Sequence, residues 1–292
     1  MLALARWAVA ATALVLAASA PTARAATVDL TRPFEADKET LCLFHLDDVA
    51  SGEVKDAVAD GRSGRVKSPA AAAGKFGGAL DCDGEKGWAD VTDLAESKGL
   101  KALTVECWVK LRGRAVGDVV CRGSQYMIRL STSVIASFWI DGTWRYVRGN
   151  RAVPVDRWTH LAITWDQGTR KVGICVDGRL DVEQVPEGIT DGALGGGLGT
   201  LRLGGHTWES PAPNLNGLLD EVRVSSVVRE YQPLPGSEPI AAAPPSRRAE
   251  EPSPSEFVFP WGVSKDSTDA PKSHTQRITE GVQRYKVTQG GT

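Results

Sequence analysis

Between about residues 39 and 231 the sequence consists of short apolar runs that are separated by Gly, Asp and Asn. In Leu103–Leu111, apolar residues alternate with Thr, Glu, Trp and Lys, which is the period-two pattern of a strand with two different faces. Asp141-Gly142 and Asp177-Gly178 predict hairpin turns, because glycine adopts positive φ without a steric penalty. The pattern predicts an all-β fold, a two-sheet antiparallel sandwich or jelly roll.

Nine runs qualify as strands, and no convincing long amphipathic helix accompanies them. The predicted strands are Leu41–Leu46, Leu103–Leu111, Val116–Cys121, Tyr126–Leu130, Val134–Ile140, Thr159–Trp165, Val172–Val176, Leu201–Leu203 and Leu218–Val224.

The overall composition limits the size of the core and the kind of partner. With 292 residues and 42% apolar residues, the chain can form one substantial core or at most two small ones. The 34 basic and 36 acidic residues nearly balance, whereas a nucleic-acid-binding protein normally carries a clearly basic face. Nucleic acid is therefore excluded as an expected partner.

The two ends of the chain differ from its middle. Arg6, the apolar stretch Trp7–Ala20 and the small residues around Arg24 are typical of a secretory signal peptide, and the stretch is too short to anchor the chain in a bilayer. We expect residues 1–25 to be removed, 26–38 to form a lead-in, 39–232 to form the domain and 233–292 to form a disordered tail rich in Pro and Ser. The protein is then secreted, or lies in the periplasm or cell envelope, with no membrane span after cleavage.

Phe257–Trp261 is the one apolar cluster of the tail. It is either a docking peptide that adds as a strand to a partner or a linker segment that packs weakly on its own domain.

Five segments in order resemble laminin-G-like (LamG-like, concanavalin A-like lectin/glucanase) jelly-roll domains. They are Gly74–Leu80 with Asp83-Gly84 (GxFGxAL…DG), Leu103–Lys110 (LTVE-x-WVK), Trp158–Asp166 (WxHxAxTxD), Val176–Gly178 and Leu219–Val224 (LDEVRV). The resemblance covers about 190 residues and implies the jelly-roll fold. It says less about function, because one fold carries many activities.

Relatives of this fold include glycoside hydrolases and polysaccharide lyases, so catalytic carboxylates must be considered. Glu35–Glu39 matches the E-x-D-x-E pattern, but it precedes the first core strand, whereas the hydrolases of the fold carry that pattern on a strand near mid-chain. Glu106 is an isolated acid, His160 is expected to be a hydrogen-bonded structural residue, and His45 and His206 have no ligand spacing. We predict a protein without catalytic residues.

A structural Ca²⁺ is the most specific chemistry that the resemblance implies. In many relatives one cation links the N-terminal strand and its loop to the C-terminal strand, and hard oxygen ligands suit Ca²⁺. The matching positions are Asp220, where strand alternation breaks, and Asp47, Asp48 or Asp60 near the start. Alternatively, Asp47 and Asp48 cap a turn and Asp220 binds backbone amides.

Aromatic residues around the Asp141-Gly142 turn form a candidate ligand site. The set is Trp139, Trp144, Arg145 and Tyr146, with Trp208 in a loop. Exposed aromatic rings stack on the apolar faces of sugars, and Arg can bind their hydroxyl groups. Trp108, Trp158 and Trp165 are expected to cover the sheets instead.

The five cysteines, Cys42, Cys82, Cys107, Cys121 and Cys175, are odd in number and contain no CxxC pair. Export permits disulfides, so we expect one or two, with at least one free thiol and no readable connectivity. Cys107 shares the apolar face of its strand with Val105 and Val109, as expected for a small buried residue.

The sequence thus predicts an exported, non-catalytic binding module for carbohydrate or another extracellular or cell-envelope ligand. Two alternatives remain at this point. One is a glycoside hydrolase or polysaccharide lyase of the same fold, and the other is a structural or protein-docking module of the cell envelope.

Overall fold

The computed structural model describes residues 27–59, 61–68, 70–92, 94, 99–113, 116–196, 199–207 and 214–237. The predicted signal peptide and nearly all of the predicted tail, including Phe257–Trp261, lie outside these residues. Apart from one short 3₁₀ turn, Val49–Ser51, the regular structure of the described residues is all strand. None of the helices in this part of the chain has the length and apolarity that a membrane crossing requires.

The strands are numbered in chain order. They are β1 (Thr40–Phe44), β2 (Glu53–Lys55), β3 (Ser63–Val66), β4 (Ala71–Ala73), β5 (Gly78–Asp83), β6 (Ala89–Val91), β7 (Ala102–Leu111), β8 (Val116–Arg122), β9 (Tyr126–Ser131), β10 (Ser133–Ile140), β11 (Thr143–Ala152), β12 (Trp158–Asp166), β13 (Lys171–Val176), β14 (Arg179–Gln184), β15 (Leu201–Leu203) and β16 (Asn216–Ser225).

Two antiparallel sheets pack face to face. Sheet I has the order β14-β13-β12-β7-β16-β5-β4, and β1 pairs with the second half of β16. Sheet II has the order β11-β10-β9-β8-β15-β6-β3-β2. The inner faces of both sheets supply one large apolar core, so the predicted two-sheet jelly-roll sandwich is confirmed.

Strand β7 shows why the alternating sequence gives this arrangement. Val105, Cys107 and Val109 point into the core between the sheets, as predicted. Glu106 and Trp108 point to the outer face of sheet I, yet both are fully buried. The outer face of sheet I must therefore be covered by other parts of the chain.

The cover consists of two segments that we call the terminal straps, residues 27–38 and 226–237. Leu30 and Phe34 of the first strap and Tyr231 of the second pack with Trp108 in a second apolar cluster. The straps also run parallel to each other, because Val28 donates its N–H to the carbonyl of Glu230 and accepts the N–H of Gln232. The segment expected to be a polar lead-in thus packs on the domain.

Both predicted hairpin turns are present. Asp141 and Gly142 have φ of 52° and 74°, and Asp177 and Gly178 have φ of 52° and 76°. Two successive positive φ angles are those of a type I′ turn, whose twist matches that of the flanking strands.

The predicted disulfide is not formed, and this expectation was wrong. All five cysteines are free and buried. Cys42, Cys82 and Cys107 belong to the central core, whereas Cys175 belongs to the cluster beneath the terminal straps. The thiols are therefore distributed over the fold as small apolar residues and do not act as crosslinks.

Candidate functional site

The outer face of sheet II carries the predicted aromatic residues. In β10, Ala136, Phe138 and Ile140 point into the core, so Ser137 and Trp139, which alternate with them, point outward. Trp139 lies directly opposite Trp144 of β11, and Ser137 lies opposite Tyr146. The hairpin turn fixes this register, and the register places three aromatic side chains side by side on one face.

Trp139, Trp144 and Tyr146 form a contiguous surface that we call the aromatic platform. The ring centroids of Trp139 and Trp144 are 5.6 Å apart with the rings nearly perpendicular, and those of Trp144 and Tyr146 are 6.4 Å apart with the rings stacked. All three side chains are partly exposed. Burial raises the pKa of the Tyr146 hydroxyl, so this group remains protonated at neutral pH.

The remaining residues of the predicted ligand site do not join the platform. Arg145 lies opposite the core residue Phe138 and therefore projects from the other face of β11. Its guanidinium donates to the carbonyl oxygens of Glu187, at 2.7 Å, and Gly188, at 2.5 Å. Trp208 lies outside the described residues.

A charged network lies beside the platform on the same face of sheet II. Arg129 donates to both oxygens of Asp118, at 2.5 and 2.9 Å, and His206 Nδ1 lies 2.5 Å from Asp118 Oδ2. Burial alone would raise the pKa of Asp118, but the hydrogen bonds and charges of Arg129 and His206 together outweigh burial and lower this pKa. His206, a histidine without ligand spacing in the sequence, thus has a defined carboxylate partner.

Arg202 and Asp90 form a second bidentate pair on this face, at 2.6 and 2.8 Å. Arg202 also donates through Nη1 to the backbone carbonyl of His206 at 2.7 Å, which joins the two networks. The carboxylates in the middle of this face are therefore neutralised by arginine rather than free for proton transfer.

Two of the four predicted metal ligands, Asp47 and Asp220, both bind one turn, Gly74–Gly78, which we call the glycine turn. Asp220 Oδ2 accepts the N–H groups of Lys75 and Phe76, at 2.7 and 3.0 Å. Asp47 Oδ1 accepts the N–H of Gly78 at 2.5 Å. These hydrogen bonds connect the loop after β1, the glycine turn and β16 directly.

Side chains at the ends of the glycine turn would collide with the two carboxylates. A Cβ at position 74 would lie 2.7 Å from Asp220 Oδ2, and a Cβ at position 77, where φ is +64°, would lie 2.3 Å from Asp47 Oδ1. Glycine is therefore required at both positions by close approach, and at position 77 also by the positive φ.

Asp220 is a buried carboxyl group whose hydrogen bonding is incomplete among the described residues. It is buried, its Oδ1 has no hydrogen-bond partner among the described residues, and burial raises its pKa to about 7. A bulge follows it, with Glu221 at φ of +51°, as the break in alternation predicted. Glu221 in turn binds His45 Nδ1 at 2.7 Å and the N–H of Phe34, also at 2.7 Å.

The other early aspartates contribute nothing visible to this site. Asp48 lies 3.4 Å from the ammonium group of Lys55, and Asp60 lies outside the described residues. Within the described ranges, no group of three or more His, Cys, Asp or Glu side chains has a geometry that could hold a metal ion.

Glu106 belongs to an ion network beneath the terminal straps. Its Oε1 accepts Arg223 Nε at 2.9 Å, and its Oε2 lies 3.2 Å from His160 Nε2. All three side chains are buried. The prediction that His160 is a hydrogen-bonded structural residue is confirmed, and Glu106, isolated in the sequence, has two partners in the fold.

The comparison with protein families decides the classification. A profile of the concanavalin A-like lectin/glucanases superfamily matches residues 83–232, just over half of the chain. The chain belongs to this superfamily. A search of curated proteins gives no significant match.

Solved structures with the superfamily fold include binding domains. The binding domain of Paraclostridial mosquitocidal protein 1 is 12% identical, with a TM-score of 0.52, over 65% of this chain and 49% of that one. Domain 4 of a GH43 extracellular arabinanase from Geobacillus stearothermophilus, in complex with arabinotriose, is 19% identical, with a TM-score of 0.49, over 64% and 92%.

A structure of botulinum neurotoxin type C, a toxin whose cell entry is dependent upon interaction with two ganglioside molecules, is 10% identical. Its TM-score is 0.47, over 66% of this chain and 49% of that one. This chain spans about half the length of the toxin domains that it matches. At these identities the likeness concerns the fold.

One residue near the aromatic platform, Arg148, was not predicted from the sequence. Arg148 follows Trp144 and Tyr146 at intervals of two along β11 and is partly exposed. Strand alternation from Trp144 would have placed it on the same face. The signal was hidden because β11 contains Gly and several polar residues and was not among the predicted strands.

Proposed function

We propose that this chain is an exported, non-catalytic module whose aromatic platform binds carbohydrate. The observation that carries the proposal is the contact of Trp139, Trp144 and Tyr146 on one outer face, with all three rings partly exposed. Superfamily membership is consistent with this activity but does not specify it.

The arrangement of the rings suits a saccharide. A sugar ring has an apolar face of C–H groups, which stacks on an aromatic ring, and hydroxyl groups at its edge, which require polar partners. The perpendicular pair and the stacked pair offer two ring orientations within a few ångströms of each other. A short oligosaccharide can therefore contact more than one aromatic residue.

The carboxylates of the same face favour binding over hydrolysis. Retaining glycosidases need two carboxyl groups about 5 Å apart, of which one gives and takes a proton. Asp118 and Asp90 are instead held in bidentate pairs by Arg129 and Arg202. An arginine-bound carboxylate is stabilised in its charged form and is a poor general acid.

A glycan-binding screen of the purified protein, followed by Trp144→Ala and Tyr146→Ala, tests the proposal. We expect each substitution to weaken binding of the retained glycan about tenfold or more, because a stacking contact contributes roughly 1–3 kcal/mol in comparable aromatic sites. Leu180→Ala is the control, since Leu180 is 57% exposed and lies on sheet I. Wild-type affinity in both platform variants would refute the platform as the site.

We further propose a structural Ca²⁺ at Asp220 and Asp47, which would reinforce the connection through the glycine turn. The hard oxygens and the unpartnered, buried Oδ1 of Asp220 support it. If the ion binds, millimolar Ca²⁺ raises the unfolding midpoint relative to a chelator, and Asp220→Asn removes the difference. Equal midpoints with and without Ca²⁺ would contradict this proposal.

The export proposal rests on residues 1–25, which lie outside the described residues. Expression of the whole chain in a secreting host, followed by N-terminal sequencing of the product, tests it. We expect a mature chain that begins at Ala26, and a product that retains Met1 would contradict cleavage.

A further inference from the structure

We propose that the carbohydrate bound at the aromatic platform is acidic, and that Arg148 binds its anionic group. The inference deepens the proposed function and rests on it, because it concerns the same face of sheet II. It names the ligand class as polysaccharide that carries carboxylate or sulfate groups.

Arg148 has the correct position for this role. Residues two apart on a strand point to the same face and are separated by about 6.6 Å, so Arg148 follows Tyr146 at the spacing of one sugar ring. Its partner across the ladder is Ile135, which is on the outward-pointing side of β10 together with Ser137 and Trp139. A glycan stacked on the platform therefore extends toward the guanidinium.

The charges of the surrounding strands also favour an anion. Strands β9, β10 and β11 contain Arg129, Arg145, Arg148 and Arg151 and no Asp or Glu, although the whole chain has a net charge of −2. Such an excess attracts an anionic ligand only where carboxylates of other strands leave it uncompensated.

Three of these arginines are already committed. Arg129 is bound by Asp118, Arg151 lies 3.2 Å from Asp181, and Arg145 donates to loop carbonyls from the opposite face. Arg148 donates through Nη1 to the carbonyl of Ser131 at 3.1 Å, and no carboxylate of the described residues lies within ion-pair distance of it. Its charge is uncompensated there.

The acid nearest in sequence to the platform does not oppose this charge. Asp141, in the hairpin turn, accepts the N–H groups of Thr190, Gly192 and Ala193 and is thereby directed toward that loop. Arg148 thus adds a positive charge, which no carboxylate of the described residues pairs, to the face that carries the partly exposed aromatic rings. An arginine fork of this kind matches a carboxylate or a sulfate group.

A pair of polymers that differ only in charge tests the ligand class. Affinity electrophoresis or calorimetry compares polygalacturonate with the same backbone after full methyl esterification. Alginate and hyaluronan extend the carboxylate arm, and dextran sulfate against dextran provides the sulfate arm. We expect acidic polymers to bind more tightly than their neutral counterparts, with affinity that falls as NaCl is raised.

Substitution of Arg148 tests the residue. Arg148→Gln should lower the affinity for the retained acidic polymer about 10- to 100-fold, because a charge-assisted hydrogen bond is lost, and leave any binding of the neutral polymer unchanged. Arg170→Gln, in the exposed turn between β12 and β13, removes the same charge elsewhere and should change little. Equal melting temperatures of the variants and the wild type show that folding is retained.

The outcomes separate the two proposals. If Trp144→Ala abolishes binding but Arg148→Gln has no effect on acidic polymers, the inference about charge fails and the carbohydrate platform stands. Failure of every acidic polymer to bind, or preference for the neutral member of each pair, also overturns the inference. If Trp144→Ala binds every retained polymer as the wild type does, the proposed function itself fails.

Discussion

Glu106 shows that buried charges, as well as apolar side chains, hold this sandwich together. The carboxylate is completely buried and bound by Arg223 and His160. Burial alone would raise its pKa, but the charge of Arg223 and the hydrogen bond from His160 outweigh burial and lower it. Removing one member of such a group leaves the others buried without a counter-charge, which is more costly than losing a surface pair.

Glu106→Gln is therefore expected to lower the free energy of unfolding by about 3 kcal/mol. Urea denaturation followed by tryptophan fluorescence measures the change. Glu183→Gln is the matched control, because Glu183 forms an exposed pair with Lys171 at 2.6 Å, and the expected loss there is below about 1 kcal/mol. Equal losses of unfolding free energy in the two variants would show that the buried network stabilises the fold no more than an exposed ion pair does.

The thiols give a second prediction at the scale of single residues. Burial raises the pKa of Cys42, Cys121 and Cys175 to about 12, so none of these groups is a thiolate at neutral pH. We expect the native protein to react slowly with a thiol reagent and the protein in urea, without reductant, to titrate five thiols. A titration of three or fewer in urea would indicate the disulfide that the fold lacks.

Strand β11 is an edge strand of sheet II, and one aspartate of β14 attaches it to sheet I. Asp181 Oδ2 accepts the N–H groups of Asn150 and Arg151, at 2.7 and 3.2 Å, and its backbone carbonyl accepts the side-chain amide of Asn150. These bonds satisfy backbone groups that an edge strand would otherwise expose. They also fix the strand that carries Trp144, Tyr146 and Arg148.

Asp181→Ala should destabilise this edge by about 1 kcal/mol, because two backbone amides lose their acceptor and Arg151 loses its ion-pair partner. Hydrogen exchange should show faster exchange at Asn150 and Arg151 before any change in the core strands. Asp166→Ala is the control, since Asp166 binds only the nearby N–H of Gly168 in an exposed turn. Unchanged exchange at the two β11 amides would contradict the role of Asp181.

Sequence analysis located the core strands well and the peripheral strands poorly. Leu201–Leu203 was predicted with its observed bounds, and the strand predicted at Leu103–Leu111 differs by one residue. Strands β2 to β6, β11 and β14 were missed because they are short, rich in Ala or Gly, or charged. Their pairing partners hold them in the sheet, and single-strand propensity does not record those partners.

Local sequence patterns also predicted only part of the candidate site, because they do not record contacts between distant residues. Aromatic residues around a type I′ turn were visible in the sequence, so Trp139, Trp144 and Tyr146 were selected. Arg145 was included because it lies between them, although alternation turns it to the other face. The pairing of Asp118 with His206 joins residues 88 positions apart, and no local pattern predicts such a contact.

At the scale of the whole molecule, several carboxylates stabilise the fold only when they are charged. The hydrogen bonds from Arg229 hold the pKa of Asp37 well below its usual range, and the pKa values of Glu106 and Asp118 are also lowered. A carboxyl group with a lowered pKa contributes stability that is present above its unfolded pKa, near 4, and is lost as the pH falls below it.

The protein should therefore lose stability progressively as the pH falls from about 5 toward 1. Melting temperatures measured from pH 7 to pH 2.5 check this expectation. Asp37→Asn removes one of the titrating groups, so the difference between this variant and the wild type should shrink as the pH falls. A difference that stays constant across this range would exclude the Asp37–Arg229 pair as a source of the acid sensitivity.

The parallel terminal straps determine how the aromatic platform is oriented when the protein is attached to a support. Val28 and Tyr231 lie side by side on the outer face of sheet I, whereas the aromatic platform is on the outer face of sheet II. Attachment at either strap, whether to a sensor chip, a resin or a fused partner, therefore leaves the platform turned away from the support. The geometry of the fold makes either strap a suitable handle for measuring ligand binding.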